Sequence, residues 1–248
     1  MRHLLAAAHE GVLQDLAAEP STLLAFDFDG TLAPIVDQRQ RASMRSTTAA
    51  LLRETSARFK VAVISGRARA DVKKRLSGSR VHLVFGGHGL GVARSTRRQL
   101  DPLRRVLRAI VATHAPRLEL EDKGSALAVH FIGPSSERTF ERLVLRAHEV
   151  TRVKARTVRG RRVIEFIAPE VGDKGDALRE AMRLTRSARA VFVGDDRTDE
   201  DAFALAPRVD VLGVRVGRRA SSCAPFFLRH QREVDVLLRT LLRLRSRR

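Results

Sequence analysis

The chain has 248 residues and 44% apolar content, enough for one large domain or two modest ones, and no run of about 18 apolar residues that would span a membrane. Its net charge of +19 at pH 7 suggests a polyanionic partner, but the basic residues are scattered arginines with only six lysines, and Trp and Tyr are absent, so platforms for stacking bases are scarce. The single cysteine, Cys223, has no internal disulfide partner and no metal-ligand spacing around it, which fits a reducing cytoplasm.

In chain order, "MRHLLAAAHEGVLQDL" reads as an amphipathic helix, because His9 and Glu10 interrupt the apolar stretch that a secretory signal needs. "LLAF" then predicts a buried strand that runs into Asp27 and Asp29. Similar runs follow: "VAVI" before Ser65, "HLVF" before Gly86, "AVFV" before Gly194 and "VDVLGV" at 209–214. Helical patterns lie between them at 47–58, 68–76, 175–186 and 199–206. Strands that are apolar without alternation and separated by helices predict a parallel α/β sheet covered on both faces. Ligands of such sheets bind beyond the carboxyl ends of the strands, where the polar residues of these runs fall.

The stretch 94–168 differs: a helix "PLRRVLRAIVATHA", a strand "SALAVHFI", a second helix at 136–149 and a strand "RVIEFIA". It predicts a small α+β unit inserted between a first core part, 1–93, and a second, 169–248. The C-terminal "EVDVLLRTLLRLRSRR" reads as a final packing helix with a basic tail, in preference to a membrane-surface helix.

Four motifs carry chemistry. Asp27 and Asp29, two apart on an extended segment, aim at one spot, and their mutual repulsion calls for a cation such as Mg²⁺. Gly30 and Thr31 follow with a tight turn whose N–H groups can face an anion. Ser65, Gly66 and Arg67 end the next strand with a hydroxyl and N–H groups at a helix start, a phosphate-binding arrangement. In "GDKGDAL", Lys174 opens a helix, where a cation opposes the macrodipole and so is poorly explained as stabilisation. In "GDDRTDEDAF", Asp195 directly follows a strand and a glycine and suits a further metal ligand, whereas Asp199, Glu200 and Asp201 are accounted for as helix-start acids.

The four motifs in this order resemble the haloacid dehalogenase superfamily, and the resemblance spans essentially the whole chain. It implies a Rossmann-like parallel-sheet core with an inserted cap of the second type. It also implies a two-step phosphoryl transfer with Asp27 as nucleophile, Asp29 as acid and base, and Ser65 and Lys174 on the phosphoryl oxygens. Mg²⁺ is expected on the carboxylates of Asp27 and Asp195 and the backbone carbonyl of Asp29. "DFDGTLAPIV", "SGR", "GGHG" at 86–89, "EDKGSALAVH" at 121–130, "IEF" and "GDDRTDEDAF" are similar to the trehalose-6-phosphate phosphatase family. That resemblance assigns Gly30, Thr31, Gly66, Arg67, His88, Lys123, His130 and Glu165 to a small sugar-phosphate substrate, with the cap closing over it.

The chain departs from the family at three places. His130 is followed by Phe131 and Ile132 where a tyrosine and an arginine are common, Gly91 stands where an acid is frequent, and Ala168 replaces an arginine. These departures keep sucrose phosphate or mannosyl phosphoglycerate open as substrates, and a catalytically silent basic binding protein as a different class of function.

Overall fold

A computed structural model describes residues 1–87, 98–133, 135–160, 162–169, 172–206 and 209–246. The chain divides into two compact units, Met1–Leu90 with Asp173–Arg248, and Gly91–Gly172.

The larger unit is built on a parallel sheet of β1 (Arg2–His3), β2 (Leu23–Phe26), β3 (Lys60–Ile64), β4 (Leu83–Phe85), β9 (Ala190–Gly194), β10 (Val211–Val216) and β11 (Phe226–Leu228). Its order is β1-β11-β10-β9-β2-β3-β4. The chain leaves β2 toward β4 on one side and β9 toward β11 on the other, so β2 and β9 flank the switch point where such sheets bind ligands. Phe26 pairs with Val63 and with Val193, which brings the carboxyl ends of β2, β3 and β9 together.

Continuous apolar runs are explained by burial on both faces. Leu24, Phe26, Val61, Val63, Val191 and Val193 enter one core. Its cover includes α1 (Glu10–Ala18), α2 (Ser46–Arg58) and α8 (Glu233–Ser246). Leu237, Leu238 and Leu241 of α8 lie in this core, so the C-terminal segment packs as expected from its sequence. On the opposite face Leu23, Ala25, Ala62, Ile64, Ala190 and Phe192 meet α6 (Lys174–Thr185) and α7 (Glu200–Phe203). A short helix, α3 (Arg69–Arg75), follows β3.

The smaller unit holds an antiparallel sheet of β5 (Leu118–Asp122), β6 (Ala126–Phe131), β7 (Arg156–Gly160) and β8 (Val163–Ile167), in the order β5-β6-β8-β7. With α4 (Asp101–His114) and α5 (Ser136–Thr151) it forms its own core around Leu103, Leu107, Leu127, Val129, Phe140, Val144 and Phe166. Alternation along β6 sends Leu127 and Val129 into that core and turns Ala128 and His130 to the other face. Register then places Glu121, Ala128 and Glu165 side by side across three strands.

No helix among the described residues is long and apolar enough to cross a membrane.

Candidate active site

Asp27 directly follows β2, and its N–H donates to the Val193 carbonyl of β9 at 2.8 Å, which locks the two strand ends together. Asp195 directly follows β9. Gly30 turns between them with φ +77°, and a Cβ there would stand 2.1 Å from the Asp195 carboxylate, so only glycine permits this packing.

Lys174 is the first residue of α6, a helix started by a reciprocal cap: Asp173 Oδ1 accepts the Asp176 N–H at 2.8 Å, and Asp176 Oδ2 accepts the Asp173 N–H at 3.0 Å. Its ammonium is buried and donates to Asp199 Oδ1 at 2.6 Å, with Asp27 Oδ1 at 3.0 Å. This resolves the misplaced cation at a helix start. Asp199 is fully buried, and its Oδ2 accepts the N–H groups of Asp195 and Asp196, each at 2.8 Å. Room for that carboxylate comes from Gly194, where a Cβ would lie 2.3 Å from the Asp199 Cγ.

Asp27, Asp195 and Asp199 each offer an oxygen within 4.8 Å of the others. Burial, with the neighbouring Asp199 and Asp29 carboxylates, pushes the Asp27 carboxyl up to about 7 against the pull of Lys174. Burial, then Asp27 and Asp199, push Asp195 up to about 8. Lys174 is driven upward by the two carboxylates it touches, despite its burial. When all three carboxylates are ionised they leave two surplus negative charges around the ammonium, which a divalent cation would neutralise in place of the protons that Asp27 and Asp195 otherwise keep. Asp195 Oδ1 is buried without a hydrogen-bond partner among the described residues. Such an orphaned acceptor in an oxygen-only donor set fits a hard cation.

Asp29 is held separately. Arg67 Nε and one terminal nitrogen donate to its two oxygens, both at 2.6 Å, while the other terminal nitrogen donates to Asp71 at 2.9 Å. Arg75 Nε in turn holds Asp71 at 3.0 Å. The Arg67 guanidinium, which the sequence comparison assigned to the sugar, is thus engaged with Asp29 and Asp71. Ser65 is buried at the end of β3, where its Oγ accepts the Arg67 N–H at 3.2 Å. Gly66 follows it, and Thr31 is buried in the Gly30 turn.

In the smaller unit Lys123 Nζ meets Glu165 at 2.5 Å and Glu121 at 3.9 Å, and His130 Nε2 lies 3.1 Å from Glu121. Lys123, Glu165 and His130 therefore come together. Glu121 completes the group; it opens the "EDKGSALAVH" motif, from which the sequence assigns a role only to Lys123 and His130, and it lies on an edge strand, "LELED", of low apolar content. Its alternation was the available signal. Asp199, credited in the sequence only with a helix start, joins the core cluster. His88 lies outside the described residues.

The trehalose-phosphatase family profile matches residues 25–224. A rice protein named probable trehalose-phosphate phosphatase 9 is 30% identical over 91% of this chain and 71% of its own length. The trehalose-phosphate phosphatase of Mycobacterium marinum is 31% identical over 79% of this chain, and the match spans 54% of that protein. The C-terminal domain of C. albicans trehalose-6-phosphate phosphatase superposes with a TM-score of 0.79 at 21% identity, covering 94% of this chain and 96% of that one. An IMP-nucleotidase of Plasmodium falciparum shares the fold more distantly, with a TM-score of 0.57 at 12% identity over 94% of this chain and 71% of that one. On the extent of these matches, the chain belongs to the trehalose-phosphatase family, and through it to the haloacid dehalogenase superfamily.

Proposed function

We propose that this chain is a Mg²⁺-dependent phosphatase that converts trehalose 6-phosphate to trehalose and inorganic phosphate. One observation carries the reading: Asp27, at the sheet's switch point, is bonded to a buried Lys174 and ringed by Asp195 and Asp199. Asp27 attacks phosphorus, forming an aspartyl phosphate as the bond to the sugar oxygen breaks. Asp29 gives that oxygen its proton and then takes one from the water that hydrolyses the aspartyl phosphate. Arg67 sets the direction of the ionised Asp29 carboxylate through both oxygens, and one of these hydrogen bonds gives way when Asp29 carries the proton it donates. Ser65 Oγ and Lys174 Nζ hold the phosphoryl oxygens, with the N–H groups of Thr31 and Gly66 facing them; the Gly30 N–H, expected there from the sequence, is instead taken by the Ala33 carbonyl at 2.8 Å. Mg²⁺, held by the carboxylates of Asp27 and Asp195 and the backbone carbonyl of Asp29, supplies charge neutralisation on the transferring group when bound.

Lys123, Glu165, Glu121 and His130 present charged and hydrogen-bonding groups suited to sugar hydroxyls, and we assign them, with His88, to the disaccharide. We place the enzyme in the cytoplasm, consistent with Cys223 as an exposed free thiol. A second substrate reading is favoured by one feature: Ile132 is exposed where the family commonly has an arginine, so the sugar contacts of this chain differ there.

Phosphate release from a panel of sugar phosphates with Mg²⁺, run beside Asp27→Asn, tests both readings. Preference for trehalose 6-phosphate that vanishes in the variant is the expected result. Equal or better turnover of sucrose phosphate would transfer the assignment, and no release from any sugar phosphate would remove it.

A further inference from the structure

Among the residues of β10, "VLGVRV", one is charged. Val214 and Val216 lie in the sheet's core, yet Arg215 between them is also buried, at 6% exposure. A cation in such a place is retained only where it is fully paired. Register sets Arg215 opposite Gly194, the last residue of β9 before Asp195. From there its guanidinium reaches three acceptors of the acidic loop. One terminal nitrogen donates to the Asp196 carbonyl at 3.1 Å and to Glu200 Oε1 at 2.9 Å, and the other donates to the Asp195 carbonyl. Glu200 is fixed from its far side, since its Oε2 accepts the Cys223 N–H at 2.8 Å.

The loop is therefore gripped from two directions. Asp199 holds the N–H groups of Asp195 and Asp196, and Arg215 holds their carbonyls. With the N–H and C=O groups of both residues bound, the direction in which the Asp195 carboxylate leaves the backbone is set before any ligand arrives. Asp199 also serves Lys174, whereas Arg215 hydrogen-bonds the Asp195 and Asp196 carbonyls and Glu200.

We propose that Arg215 is a positioning residue that, with Glu200, holds the Asp195–Asp196 backbone so that the Asp195 carboxylate is preset for a divalent cation. The proposal rests on the metal reading given above. Two physical effects of Arg215 oppose each other, and this makes it testable. Its positive charge behind the acidic cluster repels a cation, while its forked hydrogen bonds order a ligand for that cation. Loss of the charge alone would tighten cation binding; loss of the fork loosens it.

Isothermal titration of Mg²⁺ and of Mn²⁺ into the full-length wild type, Arg215→Met and Arg215→Lys separates the two, with circular dichroism and thermal melts reporting folding. Both variants are expected to bind the metals about tenfold or more weakly, the range typical of losing a group that orients a metal ligand. At saturating Mg²⁺ their kcat should stay within about threefold of wild type, because no reacting group has been removed. A Lys variant equal to wild type beside a Met variant that binds more tightly would mean that charge alone acts, and would overturn the proposal. So would unchanged affinity in both. Should both Arg215 variants fail to fold, Glu200→Gln decides beside Asp201→Asn, which removes an equal charge one residue away: metal binding looser in Glu200→Gln than in Asp201→Asn is expected, and equal affinity in the two overturns. A wild type that binds neither metal would sink the metal reading itself, a result distinct from any behaviour of the variants.

Discussion

Asp199 bears more of the site than any residue beside it. Its two oxygens serve different masters, one the Lys174 ammonium and the other two backbone N–H groups, inside a wholly buried position. An Asn there can still accept the backbone hydrogens through its oxygen, but it then points an amide donor at an ammonium. Breaking one arm of a buried ion pair typically costs about 3–5 kcal/mol. Asp199→Asn is expected to lose stability on that order and to lower kcat by about a hundredfold or more, since Lys174 would be drawn onto Asp27. Urea unfolding and steady-state kinetics check the two effects, and a variant with near-wild-type kcat would show that Asp27 alone places the lysine. None of this could be read from "GDDRTDEDAF", where position after a strand singled out Asp195 and acidity at a helix start accounted for Asp199. Sequence spacing locates a side chain on an element; which of two neighbours a buried oxygen faces is settled by packing.

At the scale of elements, α6 delivers Lys174 to the site, and its reciprocal cap decides where that helix begins. Asp173→Ala removes the side-chain oxygen that accepts the Asp176 N–H, a loss of about 1 kcal/mol. Thermal denaturation should show a melting temperature lower by about 2–4 °C for a chain of this size. An unchanged midpoint would mean that the helix start is held by the Lys174 ion pairs instead. The strands that mount the chemistry were legible: "LLAF", "VAVI" and "AVFV" are uninterrupted apolar runs because both of their faces are covered. Edges were not. β5 and β7, "LELED" and "RTVRG", lie at the two edges of the smaller sheet, with charged side chains interspersed along them, and low apolar content hid both. β1 pairs through two residues only, too short for any pattern.

Across the whole molecule, the acidic cluster makes stability depend on pH in an unusual direction. Asp27 and Asp195 have carboxyls raised from 3.8 to about 7 and about 8, so between those values the folded chain keeps protons that the unfolded chain has released. Stability falls with rising pH wherever the folded state binds more protons. Asp71 and Glu233 act oppositely, because arginines beside Asp71, and the Arg229 N–H with His3 at Glu233, hold them below their usual values despite partial burial. Their contribution is complete above about pH 5 and is lost only as pH drops below it. From pH 5 to 8 the cluster therefore sets the slope among these four groups. Thermal melts in EDTA should show a melting temperature that declines across this range. Added Mg²⁺ should raise it most at pH 8, where Asp27 and Asp195 are most ready to give up their protons to a cation. Magnesium at one hundred times its dissociation constant adds about 2.7 kcal/mol, which is several degrees for a chain of this length. A melting temperature in EDTA that climbs steadily from pH 5 to 8 would show that the carboxylates of the cluster are not strained against one another, and the charge argument for a divalent cation would fall with it.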